Sequence, residues 1–170
     1  MADETHRDKW IQWADEAMSA WLAYSYDSQE EKYYGMLSNA TGAPIFREEN
    51  DHYPYKPGNY SDLWEPLFPT HNYPMSLAES CLELYKLTNK EKYKLACHRW
   101  VQLIENSLPA RDGAGAYAEH YGRVLHFLLS CAQVFKEETH KALANKIALE
   151  AVDVLYAHNM FRSHPGEYRY

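Results

Sequence analysis

Positive charge is scarce in this chain of 170 residues. Lys and Arg number 17 against 24 Asp and Glu, leaving a net charge of -7 with nine histidines neutral. No basic stripe gathers along it, so neither nucleic acid nor an anionic membrane is expected as a partner. Long apolar runs are missing too, and none reaches membrane-spanning length. Cysteine is confined to Cys81, Cys97 and Cys131, an odd count at wide spacing. That excludes a disulfide framework and fits buried free thiols. There is no Walker loop, no G-x-G-x-x-G and no G-x-S-x-G elbow. Without CxxC or HExxH, and with His158 and His164 too far apart for a local zinc pattern, no metal and no cofactor are expected. The start, MADETHRDKW, is acidic and polar rather than signal-like, so the default expectation is a soluble, reducing, cytoplasmic setting.

What the chain has in excess is aromatic surface with a polar handle: 15 tyrosines and five tryptophans. Such side chains serve where a surface must be apolar and still hydrogen bond, as in sugar clefts, protein interfaces and wet cores.

Periodicity predicts five helices. The first covers about 5–24, with Trp10, Ala14, Ala17, Trp21 and Tyr24 as its apolar stripe and Thr5 and Asp8 as a capping pair. The second covers about 74–87, opening on Pro74. Thr88 and Glu91 read as a capping box for the third, which runs to about 107. The fourth and fifth span about 117–136 and 139–158. Trp10, Trp13, Trp21 and Trp100 fall on helical stripes and are expected in the core. Residues 25–73 hold five of the eight prolines and three glycines. Within them YYGMLSNATGAPIF (33–46) reads as a short hairpin turning at Asn39 to Gly42. So long a non-helical stretch, rich in aromatics, points to function.

An internal echo accompanies the helices. Cys81, Tyr85 and Lys86 match Cys131, Phe135 and Lys136 at an offset of 50, and Leu95-Ala96 match Leu143-Ala144 at 48. Stacked helical hairpins produce such echoes, as does chance among Leu- and Ala-rich helices. The second and fourth helices are apolar on most sides and are expected inside; the charged third and fifth are expected outside. Short turns near Thr88-Asn89 and Glu137-Glu138 would share one end of the array. The segment 25–73, the loop 108–116 and the tail after 159 would then converge on the other end, where function concentrates above a scaffold. The inner helices would aim their N-termini there.

Four stretches, KYYGMLSNATGAP (32–44), WEPLFPTHNYP (64–74), LAESCLELYKLTNKEKYKLA (77–96) and AYAEHYGRVLHFLLSCAQVF (116–135), resemble the six-hairpin (α/α)-toroid superfamily. It includes glycoside hydrolases, unsaturated-uronyl hydrolases, polysaccharide lyases and sugar epimerases. The resemblance implies an all-α fold of antiparallel helical hairpins forming part of a toroid. The long irregular loop would carry a short β-hairpin. Residues 1–170 would be a single helical domain of about two and a half hairpins. The abrupt end at GEYRY would make it a fragment, or a domain that associates with a missing half or with its own copies.

A carbohydrate substrate follows from the resemblance, and three residue sets bear on its chemistry. Glycoside hydrolysis uses two carboxylates roughly 5–10 Å apart. Asp51, Asp62, Glu65, Asp112 and Glu119 lie on the expected face. Glu119 is the first choice as general acid, in the first turn of an inner helix among Tyr117, His120 and Tyr121, where an apolar wall would raise its pKa. An i,i+4 pair with Arg123 is the plainer reading. Asp62 or Glu65 is the partner carboxylate, or else a helix cap or a partner of Lys56. Lyase chemistry would instead use His71, Asn72 and Tyr73, with His120 and Tyr121, to neutralise a uronate and remove its proton. Arg47, Arg123 and Arg162 would clamp the uronate. His126 is expected as a satisfied core histidine. Trp64, Tyr53, Tyr55, Tyr60, Phe68 and Tyr73 would form a stacking platform or a packing plug, and Tyr117 and His164 complete the substrate-binding set. The leading expectation is a glycoside hydrolase. The alternatives are a uronate lyase with a Tyr or His base and a non-catalytic module that binds glycan or protein.

Overall fold

In the computed structural model, the described residues are 4–29, 31–34, 37–45, 73–106 and 118–163. They form an all-α protein of five helices: α1 (Glu4–Ser25), α2 (Tyr73–Thr88), α3 (Glu91–Asn106), α4 (Ala118–Phe135) and α5 (Glu138–Leu155). Two small antiparallel ladders accompany them. β1 (Tyr26–Asp27) pairs with β2 (Lys32–Tyr33), and β3 (Tyr156–Ala157) pairs with β4 (Met160–Phe161).

Two residues reverse the chain. Asn89 and Lys136 take left-handed φ values of 53° and 60°. The Asn89 amide donates to the Tyr85 carbonyl at 2.7 Å, and the Lys136 amide to the Ala132 carbonyl at 3.0 Å. These are αL caps that satisfy the last helical carbonyls. Helix restarts two residues later in each case, so α2–α3 and α4–α5 are antiparallel hairpins. Thr88 does not cap α3 as the T-x-x-E spacing suggested. Its hydroxyl donates back to the Leu84 carbonyl at 2.6 Å, closing α2 instead.

The reversals and the outer helices repeat in three dimensions, at an offset of 47 rather than 48. Asn89 and Lys136 stand 47 apart, as do the starts of α3 and α5. The buried faces agree: Tyr93, Ala96, Cys97, Trp100 and Ile104 on α3 match His140, Leu143, Ala144, Ile147 and Ala151 on α5. Identical letters misplace the register because burial, not identity, is what repeats.

The expected face of α1 holds at Trp21 and fails toward both ends. Trp10 and Trp13 are 66% and 53% exposed, and Tyr24 is exposed too. Trp21 packs against the core as expected, joined by Met18 and Leu22, and Ser25 is buried. The inner helices are not covered all round either. On α4 the stripe His120, Tyr121, Val124, Phe127, Leu128 and Cys131 is buried, while Glu119, Gly122, His126, Leu129 and Gln133 are exposed. His126 is therefore a surface residue, lying 3.8 Å from Glu79 of α2. The three cysteines are free and buried, as expected.

Aromatic stacking ties the segment after α1 to the core. The fully buried Tyr33 ring lies between Trp21 (centroids 5.3 Å apart) and Trp100 (4.8 Å), nearly parallel to both. Arg99 sits over the neighbouring Tyr26 ring at 3.8 Å. The predicted turn is present: Leu37 bridges Pro44, and the Gly42 amide donates to the Ser38 carbonyl at 2.8 Å. Gly42 has φ of 70°, and a Cβ there would stand 2.6 Å from the Tyr24 ring. The second ladder was not foreseen, since α5 was expected to reach 158. His158 and Asn159 adopt φ of 53° and 64°, the paired left-handed geometry of a two-residue hairpin turn, which no helix can contain.

A polar link joins α1 to the first hairpin. Asp15 lies 2.7 Å from Lys90 and 3.1 Å from Lys92, and it accepts from the Tyr93 hydroxyl at 2.7 Å. Its side chain is only 16% exposed. The Lys90 hydrogen bond leads in holding its pKa down at about 2, below the ordinary 3.8. A lowered folded-state pKa stabilises above the unfolded value and is lost as pH falls through the folded one. Acid titration should therefore remove stability between about pH 4 and pH 2, and Asp15→Asn should flatten that part of the profile. Tyr33→Ala should cost about 3–5 kcal/mol in chemical denaturation, the loss expected for a fully buried aromatic ring.

Candidate functional site

Antiparallel hairpins send the N-termini of α2 and α4 to one end of the bundle, together with the C-termini of α1, α3 and α5. Both β-ladders therefore stand at this end. Two contacts knit it. The Ala118 amide, one of the unpaired donors at the start of α4, donates to the Ser163 carbonyl at 2.9 Å. Gln102 of α3 reaches Glu31 between β1 and β2 at 3.3 Å.

Glu119 occupies the first turn of α4 and is 61% exposed. Its Oε1 lies 3.7 Å from Arg123 Nε, the i,i+4 partner. Arg123 Nη1 in turn donates to Ser76 Oγ of α2 at 3.2 Å. The outcome is an open carboxylate–guanidinium–hydroxyl row across the N-termini of both helices. The apolar wall expected around Glu119 is missing among the described residues.

His120 and Tyr121, one residue on, turn inward. Both are about 2% exposed, so neither side chain meets a substrate in this structure. Burial lowers the His120 pKa, opposed by the Glu119 charge, which favours a neutral ring. Burial, then the hydrogen bond to Glu150, pushes the Tyr121 hydroxyl up. That hydroxyl donates to Glu150 Oε1 of α5 at 2.8 Å and serves as a helix-to-helix link. The helical period explains the split: Glu119 and Arg123 share one face, and His120 and Tyr121 lie on the core side. Arg162 also serves the scaffold, donating from Nη2 to the Val154 carbonyl at the end of α5 at 2.9 Å.

The remaining candidates lie outside the described residues: Asp62, Glu65, His71, Asn72, Trp64, Arg47, Tyr53, Tyr55, Tyr117 and His164, with Asp51, Asp112, Tyr60 and Phe68. Tyr73 is described only as the first helical residue of α2.

Sequence reasoning missed a second group, at the other end of α4. Glu137 precedes α5 in extended conformation, and its carboxylate makes no capping hydrogen bond. It faces His98 Nε2 of α3 at 3.7 Å and His140 Nε2 of α5 at 3.3 Å. One ligating atom from each of the three lies within 4.8 Å of the others. The Phe135 ring packs against both imidazoles. The signal available was Glu137-x-x-His140, a spacing that sets two ligands on one helical face. The third member comes from another helix and leaves no trace in local spacing.

No protein-family model matches this sequence, and no significant match was found among curated proteins or solved structures. The residues themselves thus carry the functional reading.

Tyr121→Phe should keep the ring packing and lose the hydroxyl link. Thermal or chemical denaturation should register a loss of about 1.5–3 kcal/mol, the range for hydrogen bonds to charged groups.

Proposed function

We propose that this chain is part of a carbohydrate-active protein of the (α/α)-toroid kind, a glycoside hydrolase acting on an oligo- or polysaccharide. The observation that carries the reading is the exposed row Glu119, Arg123 and Ser76 across the N-termini of α2 and α4. A glycosidase needs one carboxylate charged while a second delivers a proton. An open carboxylate beside a guanidinium suits the charged role, as base or nucleophile, rather than the acid role that an apolar wall would have given it. Asp62 or Glu65 is the natural source of the acid. Arg123 would hold the Glu119 carboxylate in place and offer donors to sugar hydroxyls. The helix N-termini add partial positive charge where anionic groups would gather. His120 and Tyr121, two members of the lyase set, are buried, and Tyr121 is engaged with Glu150, which speaks against either as a lyase base.

The test is turnover of a panel of neutral and uronate-containing polysaccharides by the full chain. Reducing ends should appear without the ultraviolet absorbance of an unsaturated sugar. Glu119→Gln should lower kcat by about 100-fold or more, the scale of a lost acid–base group. Full turnover in that variant would remove Glu119 from the mechanism. Unsaturated product would replace hydrolysis with elimination.

A further inference from the structure

From the geometry at the far end of α4, roughly 25 Å from Glu119 along the helix, we infer that His98, Glu137 and His140 hold a divalent transition-metal ion, with zinc the best match. The donor set is two imidazole nitrogens and one carboxylate oxygen, the composition that suits zinc and its neighbours better than magnesium or calcium. The three residues come from α3, the α4–α5 connection and α5, so a bound ion would staple the two helical hairpins together at their outer helices.

Three metal-binding side chains from separate elements meet here, where the first hairpin has an ordinary polar link. The matched position in the first hairpin shows what such a link looks like. Tyr93, equivalent to His140 at the 47-residue offset, closes on Asp15 at 2.7 Å, a normal hydrogen bond. Around Glu137 the separations are 3.7 Å from Oε1 to His98 Nε2 and 3.3 Å from Oε2 to His140 Nε2, beyond the usual N–H···O range. Four ligands at zinc bond lengths of about 2.0–2.1 Å define a tetrahedron with edges of about 3.4 Å. With one donor atom taken from each residue, the three lie within 4.8 Å of one another, so a side-chain closure of at most about 1.4 Å brings them to the tetrahedral edge.

The surroundings agree with a preformed site. His140 is buried and packed against Phe135, which fixes one ligand. His98 and Glu137 are each about one-third exposed, which leaves an entry path and room for a water as the fourth ligand. Glu137 makes no helix-capping hydrogen bond, although it stands at the N-cap. Lys141, the cation on the next residue after His140, is engaged by Glu138 at 3.8 Å.

The test is calorimetric titration of zinc chloride into the full chain at neutral pH, with thermal denaturation alongside. One ion per chain should bind and raise Tm. His98→Gln and Glu137→Gln, both on partly exposed side chains and checked for helicity by circular dichroism, should each weaken binding by at least about tenfold. His126→Gln, an exposed histidine outside the cluster, should bind as the parent does. No single-site binding would overturn the proposal. So would parent-like affinity in both cluster variants, or an equal loss in His126→Gln. Turnover of sugars by Glu119→Gln is independent of every one of these outcomes.

Discussion

Two left-handed residues set the course of this chain. Asn89 and Lys136 each end one helix with an αL cap and allow the next to begin two residues later. A reversal that short leaves antiparallel packing as the way to bury the two apolar stripes. Once both hairpins close at the same end, the opposite ends of their helices must stand together at the other. The row Glu119, Arg123 and Ser76, the two β-ladders and the Ser163–Ala118 contact all follow from that constraint. Lys136 adopts φ of 60° although it is neither Gly nor Asn, a conformation that costs about 1 kcal/mol and is held by the packing on both sides.

The two hairpins repeat one plan with different chemistry at the seams. At the third residue of the outer helix, each turns a polar side chain back toward the preceding outer helix. In the first hairpin Tyr93, Lys90 and Lys92 close on Asp15, with cations and a hydroxyl satisfying a single carboxylate. In the second the polarity inverts. Glu137 stands where Lys90 stood, His140 where Tyr93 stood, and an imidazole, His98, replaces the acid on the preceding helix. The ladders differ in the same way. Tyr26 pairs with a fully buried Tyr33, and Tyr156 pairs with an exposed Phe161. Identical backbone plans thus serve a hydrogen-bonded joint at one seam and a ligand-like cluster at the other.

How much of this was legible depends on the range of the interaction. Helix existence was legible because apolar spacing at 3.6 residues is a local signal, and four of the five helices begin and end within about two residues of expectation. The Glu119–Arg123 pair was legible for the same reason, being a one-turn spacing. The exposed face of α1 was not. Trp10 and Trp13 weigh heavily in any apolar stripe, but burial depends on which neighbours a helix meets, and here Met18, Trp21, Leu22 and Ser25 meet the core while those two do not. Thr88 fitted a capping box by type and spacing, yet its hydroxyl found the Leu84 carbonyl one turn back, a partner of equal chemistry in the helix it terminates. The end of α5 was overrun because His158 and Asn159 look helix-compatible until both take positive φ.

Sequence by itself determined the helical class, the two tight reversals, the free buried thiols and the placement of a charged pair at the start of α4. Each rests on groups within a turn of one another, where backbone geometry alone fixes who meets whom. Tertiary structure decided which side of α4 holds His120 and Tyr121 away from solvent, which aromatic rings sandwich Tyr33, and that His98 joins Glu137 and His140. Those contacts join residues as far apart as 67 positions, from Tyr33 to Trp100, and they exist only where helices have already packed. Spacing along the chain holds no record of distances set by the crossing of two helices.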